Sequence, residues 1–410
     1  MGTREHDLVL HGATGFVGTL TARHLVAYGG AARIALSGRS KDKLEQLRAG
    51  LGVDWPLLVT DAADEASLTR LAESTTAVAT TVGPYAKHGL PLVLACAKAG
   101  TSYADLAGEV LFVRDSAAAA DKLAKDSGAR IVHAAGFDSI PSDLGVWLLH
   151  EQVAADSEGT LGDTALLAVS MRGGVSGGTI DSLRTQLDVV KADRELRKVV
   201  LDPHALSPDR AAEPVGNDKD VMIPSRDPLI GRWVAPFVMG SYNSRIVRRS
   251  NALLGHAYGP GFSYREVMSV GTTAAAPVLA GAVSAGLGAL VLGMSLPPTR
   301  RLLDRVLPKP GTGPSEKAQR SGHFRMEIHT RTSTGARYVA TVAAQGDPGY
   351  AATAVMLGES GLCLGTDALD SPGGVTTPAG AMGAHLVKRL RARGFELSVA
   401  RVSSLASGQA

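Results

Sequence analysis

Short apolar runs alternate with amphipathic stretches through the first third of the chain. The pattern predicts strands near 7–11, 32–36 and 56–59, each followed by helical spacing that begins near 15, 41 and 64. Further short strands are expected at Ala77 to Thr81, Ser102 to Ala104 and Arg130 to His133. This alternation of short strands with helices predicts a parallel sheet covered by helices on both faces. From about residue 160 the runs lengthen and several alternate in polarity: Ala165 to Met171, Phe262 to Val270, His323 to Thr332 and Arg337 to Ala344. Ser333, Thr334 and Gly335 between the last two predict a hairpin, and hence a second, mostly antiparallel sheet.

The expected fold class is therefore α/β, with an N-terminal doubly wound parallel sheet and a second α+β domain on a mostly antiparallel sheet. Three segments are expected: 1–155; 156–348, which includes an apolar stretch at 267–298; and 349–410. In the last of these, Gly349 to Leu364 and Ala379 to Arg393 have helical spacing and are expected to pack back on the first domain. Residues 202–228 and 308–319 are rich in proline and charge and are expected to be surface loops.

The sequence Val9-Leu10-His11-Gly12-Ala13-Thr14-Gly15-Phe16-Val17-Gly18 follows the first strand into a helix, which is the setting of a Rossmann-type phosphate-binding turn. Glycines there let the backbone approach a pyrophosphate at a positive helix end. A glycine-rich turn alone is a weak signal in a chain with 48 glycines, and the end of the second strand decides the cofactor. An acidic residue would hold the ribose of NAD; Ser37, Gly38 and Arg39 stand there instead, with Lys43 a helical turn further on. A guanidinium pairs bidentately with a 2′-phosphate, so NADP(H) is expected, held by Gly12, Thr14, Gly15, Phe16, Val17, Gly18, Ser37, Gly38, Arg39 and Lys43. The plainer alternative is that Arg39 sits on a solvated loop.

Composition narrows the function classes. The 410 residues exceed what a single core normally fills, and 45% hydrophobic content excludes wholesale disorder. A net charge of +3, without a basic run interleaved with aromatics, gives no reason to expect nucleic-acid binding. Cys96 and Cys363, the two cysteines, lie in apolar helical patterns, so neither a disulfide framework nor a metal site is expected. A reducing cytoplasmic setting follows, and no secretory leader is expected.

Between Glu266 and Arg300 no charged residue occurs. That length spans a bilayer core of about 30 Å, yet alanine, glycine and Pro277 make its insertion energy modest. Arg245, Arg248 and Arg249 before it, and Arg300, Arg301, Arg305 and Lys309 after it, are candidates to grip an anionic membrane surface, such as the inner face of the plasma membrane. Three placements stay open: against a membrane, across it, or as an internal or protein-interface helix.

In doubly wound folds ligands lie beyond the carboxyl ends of the strands. After the fourth strand, Gly83, Pro84 and Tyr85 are candidates to contact the nicotinamide end, with His88 near the start of the next helix. After the fifth, Tyr103 and Asp105 offer a phenol and a carboxylate, and Asp105 could equally cap the helix near Glu109. After the sixth, Asp138 is the better candidate for active-site polarity, whereas Ser142 or Asp143 could cap a helix that Pro141 introduces. Tyr103 and Asp138 are the candidate catalytic residues. Arg172 to Thr179 could form an anion-receptive nest or a plain turn.

Gly12 to Gly18, Gly83-Pro84-Tyr85 with His88, and Gly136-Phe137-Asp138 with Asp143 together resemble the saccharopine dehydrogenase-like oxidoreductases. Within that family Ser37-Gly38-Arg39, Ser176-Gly177-Gly178-Thr179 and Gly349-Tyr350 through Met356-Leu357 are similar to the mycobacterial trans-acting enoyl reductases, over nearly the whole chain. The resemblance implies reduction of a carbon–carbon double bond in a lipid-like acyl or polyketide thioester, carrier-bound or free, for cell-envelope lipid synthesis. It leaves two rivals: an amino-acid dehydrogenase, for which Arg172 and Arg184 are the only matching cations, and a non-catalytic NADP-binding scaffold at a membrane. Oligomeric state is not legible in the sequence.

Overall fold

Leu8, Val9 and Leu10 are all fully buried, and their alternation divides them between two cores: Leu8 and Leu10 face one, Val9 the other. Ile34, Ala35 and Leu36 do the same, as do Ala77, Val78 and Ala79. This is the physical reason that these strands read as unbroken apolar runs. The computed structural model describes residues 4–173, 177–214, 220–308 and 313–402.

The strands are β1 (His6–His11), β2 (Ile34–Gly38), β3 (Leu57–Val59), β4 (Thr75–Thr80), β5 (Ser102–Ala104), β6 (Arg130–Val132), β7 (Leu161–Arg172), β8 (Ser225–Arg226), β9 (Trp233–Pro236), β10 (Ser263–Ser269), β11 (His323–Thr332), β12 (Arg337–Gln345), β13 (Gly374–Thr376) and β14 (Glu396–Arg401). The first sheet has the order β13-β6-β5-β4-β1-β2-β3, and all its pairs are parallel. Helices Phe16–Tyr28 and Thr353–Thr366 pack together over one face, while Glu65–Ser74, Tyr85–Ala99 and Val110–Ser127 contribute to the core on the other. The second sheet has the order β14-β12-β11-β7-β10-β9-β8, antiparallel except for the β7–β10 pair. The hairpin between β11 and β12 closes through Gly335, whose φ of +90° suits glycine.

Several sequence expectations need amending. The last segment does return to the first domain through the helix Thr353–Thr366 and β13, but β14 leaves it and pairs with β12 in the second sheet. Residues 202–228 contain β8, and among those described His204, Leu206, Glu213 and Asp227 are buried, so the segment packs inward. Arg245, Arg248 and Arg249 are buried on the helix Gly240–Leu253, where they cannot grip a membrane. They bond to the chain itself: Arg248 to the Tyr264 carbonyl at 2.7 Å, Arg249 to that of Leu206 at 2.6 Å, and Arg245 to that of Val200 at 2.8 Å. Cys96 and Cys363 are buried and free.

The uncharged span forms the helix Ala276–Ser295. It is not an internal helix, because only 11% of its apolar window is buried; Val278 is 74% and Leu292 60% exposed.

Candidate active site

The nucleotide turn is built by glycines at positions a side chain could not occupy. Gly12 has φ +81°, and a Cβ there would stand 2.7 Å from Thr81 Oγ1; at Gly18 it would stand 2.2 Å from the Gly12 carbonyl oxygen. The helix Phe16–Tyr28 starts at Gly15 without a side-chain cap, leaving N–H groups of its first turn for an anion. Gly38 lies against this turn, its Cβ position 3.7 Å from Thr14 Oγ1, so the end of β2 and the glycine loop share one site. Arg39 is exposed there and has no ion pair among the described residues, and Lys43 is exposed on the following helix. The Ser37 hydroxyl turns the other way: it is buried and 3.0 Å from His11 Nδ1, so it fixes the turn instead of meeting a ribose. Burial also pushes the His11 imidazole down to about 4, which keeps it neutral. A cradle that excludes Cβ atoms, an uncapped helix end and an unpaired guanidinium fit a dinucleotide with a 2′-phosphate.

A cavity of about 310 Å³ lies beyond the carboxyl ends of β1, β4, β5 and β6. Phe16, Val17, Gly83, Pro84 and Tyr85 line the cofactor side, and Leu106, Phe137 and Asp138 form the back. The second domain closes it with Asp181, Ser182, Leu183 and Gln186 of the helix Gly177–Ala192, and with Met239, Ser241 and Tyr242 at the start of Gly240–Leu253. Gly349, Tyr350 and Thr353 add the C-terminal wall. The walls are mostly apolar. Among the described residues the charged ones in the lining are Asp138 and Asp181, both acidic, and neither Arg172 nor Arg184 is a lining residue.

Asp138 reaches the cavity edge without a hydrogen-bond partner among the described residues, and loss of water pushes its carboxyl up to about 6. Tyr103 is not brought to the cavity. It is fully buried and donates to Asp105 Oδ2 at 3.0 Å. Asp105 does not cap a helix either: it accepts from the backbone N–H groups of Ala107 and Ala134 and lies 2.7 Å from His133 Nδ1, pinning the β5 and β6 loops together. Tyr85 lines the cavity with its ring, but its hydroxyl donates to the Thr80 carbonyl at 3.1 Å and accepts from Leu106 N–H at 3.2 Å. His88 is exposed, away from the cavity. Asp143 is fully buried and accepts from Ser250 and from the Ala379 N–H at 2.8 Å, so it secures the start of Pro378–Ala392 instead of capping its own helix. Burial pushes its carboxyl up to about 7. Of the Arg172–Thr179 turn, residues 174–176 lie outside the described residues; Gly177 donates to the Tyr350 hydroxyl at 3.2 Å.

Three parts of the site were missed in the sequence. Glu109, 4% exposed, accepts from the N–H groups of Tyr85 and Ala86 and from Ser182 Oγ at 3.0 Å, joining the β4 loop to the second domain; burial raises its carboxyl despite these bonds. The helix Gly177–Ala192 and Tyr242 form walls that no local pattern marks. A carboxylate at a helix start was the one available signal, and it pointed at Asp105.

Residues 8–132 match the saccharopine dehydrogenase NADP binding domain. The chain is 49% identical over 416 residues to a trans-acting enoyl reductase of Mycobacterium tuberculosis, covering 98% of this chain and 99% of that protein. The trans-acting enoyl reductase of Mycobacterium ulcerans is 48% identical over 415 residues, covering 97% and 99%. The chain belongs to the trans-acting enoyl reductase family. This enoyl reductase-family protein is an NADP-dependent oxidoreductase, and its fold is similar to that of apo saccharopine dehydrogenase (L-Glu forming) from Saccharomyces cerevisiae, with a TM-score of 0.54 and 12% identity over 97% of this chain and 100% of that one. At that identity the likeness concerns the fold alone.

Proposed function

We propose that this protein reduces the carbon–carbon double bond of an α,β-unsaturated acyl thioester, free or carrier-bound, in the synthesis of envelope lipids. The observation that carries the reading is the lining of the cavity, mostly apolar, with two carboxylates and, among the described residues, no cation. A saccharopine-like substrate, bearing several carboxylates, would meet repulsion there, whereas an uncharged acyl chain gains from apolar burial. Bound at the glycine turn, NADPH supplies a hydride to an electrophilic carbon. The chain's own part is to seat the acyl group, exclude water and deliver a proton from Asp138. The relatives' names point the same way. With the purified protein, nicotinamide absorbance is expected to fall with enoyl thioesters and to stay constant with β-keto thioesters or saccharopine. Oxidation of NADPH with a keto substrate alone removes the reading, and tight NADPH binding without any turnover favours a scaffold.

The exposed helix Ala276–Ser295, about 30 Å long, supports a lipid surface as the partner. Arg301 and Arg305 are exposed just beyond it, while Arg300 is paired with Asp188 at 2.7 Å; Lys309 lies outside the described residues. The Lys191 bond to the Ser295 carbonyl, at 3.3 Å, ties the apolar helix to the helix that walls the cavity, and the Arg300 ion pair ties the following helix, Pro297–Val306, to it. A lipid surface there would stand beside the acyl site. The protein is expected to sediment with vesicles of mixed zwitterionic and anionic phospholipid, and the double variant Val278→Asp/Leu292→Asp to lose at least about tenfold in that binding. Equal binding by the variant rules out this face.

A further inference from the structure

Four phenols stand in or behind the cavity, and three are committed. Tyr85 bonds to Thr80 and Leu106, Tyr103 to Asp105, and Tyr350 accepts from Gly177. Tyr242 differs. It lines the cavity from the first turn of Gly240–Leu253, is 5% exposed, and its hydroxyl is buried with no partner among the described residues. An unmet buried hydroxyl normally costs stability, so its retention at a cavity wall calls for an acceptor that arrives from outside.

We propose that Tyr242 is a catalytic hydrogen-bond donor that holds the carbonyl oxygen of the acyl thioester as negative charge develops on it. The assignment rests on the enoyl reading. The hydride adds to the β-carbon, the double-bond pair moves through the α-carbon onto the carbonyl oxygen, and the Tyr242 O–H stabilises that enolate. The α-carbon then takes a proton from the Asp138 carboxyl, which regains one from solvent, so the saturated thioester leaves with one hydride and one proton added. Burial first, then the neighbouring Asp105, Asp138 and Glu109, keeps the phenol protonated and therefore able to donate. The division of labour matches the geometry: the donor is on the second domain and the acid on the first, facing one cavity.

Tyr242→Phe removes only the oxygen, and since that oxygen makes no bond, the melting temperature should hold or rise. Two measurements test the role. With an enoyl thioester, kcat should fall about 50-fold while KM and NADPH affinity stay within about twofold, as for loss of a donor used mainly in the transition state. With a saturated, carbonyl-labelled acyl thioester bound beside NADP+, infrared spectroscopy should show the carbonyl stretch lowered in the wild type and returned to its solution value in the variant. If the variant keeps both its kcat and the lowered frequency, or melts at a lower temperature, the assignment falls and the enoyl reading stands. Should the frequency difference appear although no enoyl substrate is reduced, the enoyl reading falls and the donor role stands. A wild-type carbonyl stretch at its solution value overturns the assignment outright.

Discussion

Asp138→Asn is expected to lower kcat for enoyl reduction by about 1,000-fold, with NADPH affinity unchanged. The amide keeps the volume and polarity of the carboxyl but cannot release a proton. Asp138 stands at the cavity edge with its carboxyl pushed up to about 6 by loss of water, which makes it a much better proton reservoir near neutrality than an ordinary aspartate. With the Asp138 carboxyl as the proposed proton donor, wild-type kcat is expected to be highest below about pH 6 and to fall as pH rises through that value. The variant should lose this pH dependence along with its rate. A variant that retains both would remove Asp138 from the chemistry and leave water as the proton donor.

The same substitution has a consequence for stability with a definite sign. A carboxyl whose folded pKa lies above its unfolded value of 3.8 favours the folded state at low pH, and that contribution is lost as pH rises from 3.8 to about 6. Above that window the ionised side chain is a constant burden, so Asp138→Asn should stabilise the fold at pH 7.5 by on the order of 2 kcal/mol. Gain of stability together with loss of rate is the pattern of a functional group, whereas a structural carboxylate would show loss of both.

Arg39→Glu should weaken NADPH binding by about 500-fold and leave NADH binding nearly as it was. The estimate combines loss of a bidentate charged pair with a new repulsion between carboxylate and 2′-phosphate, about 3–4 kcal/mol together. Arg39 is exposed and without an ion pair among the described residues, so the substitution disturbs no internal contact and folding should be unaffected. Calorimetric titration with both dinucleotides measures it. Equal weakening of the two would mean that Arg39 does not read the 2′-phosphate, and Lys43 would become the next candidate.

The nucleotide turn was legible because its determinants are local. Gly12, Gly15 and Gly18 follow a buried strand and open a helix within a few residues, and Arg39 occupies the place that distinguishes the two dinucleotides. β11 and β12 were legible because they alternate over long runs around a turn containing Gly335. β13 was not: three residues carry no periodicity, and it exists because Arg130 to Val132 offer an open edge to Gly374–Thr376. β14, six residues at Glu396–Arg401, was not marked as a strand either; it pairs antiparallel with β12 at the edge of the second sheet. The arginines of Gly240–Leu253 misled because charge suggests a surface, whereas each satisfies a backbone carbonyl of a segment distant in sequence.

The first domain, its cofactor and the family were readable along the chain, since each is written in short runs of residues whose backbone needs or chemistry are specific. Which polar groups reach the cavity emerges only on folding. Along the chain Tyr103 stands at a predicted strand and Tyr242 carries no local mark, yet Tyr103 donates to Asp105 away from the cavity and Tyr242 is left, among the described residues, without an acceptor at the cavity wall. Hydrogen bonds such as Asp143 to Ala379 join residues 236 positions apart. Whether a donor is already satisfied depends on such distant partners, and folding alone brings them within reach.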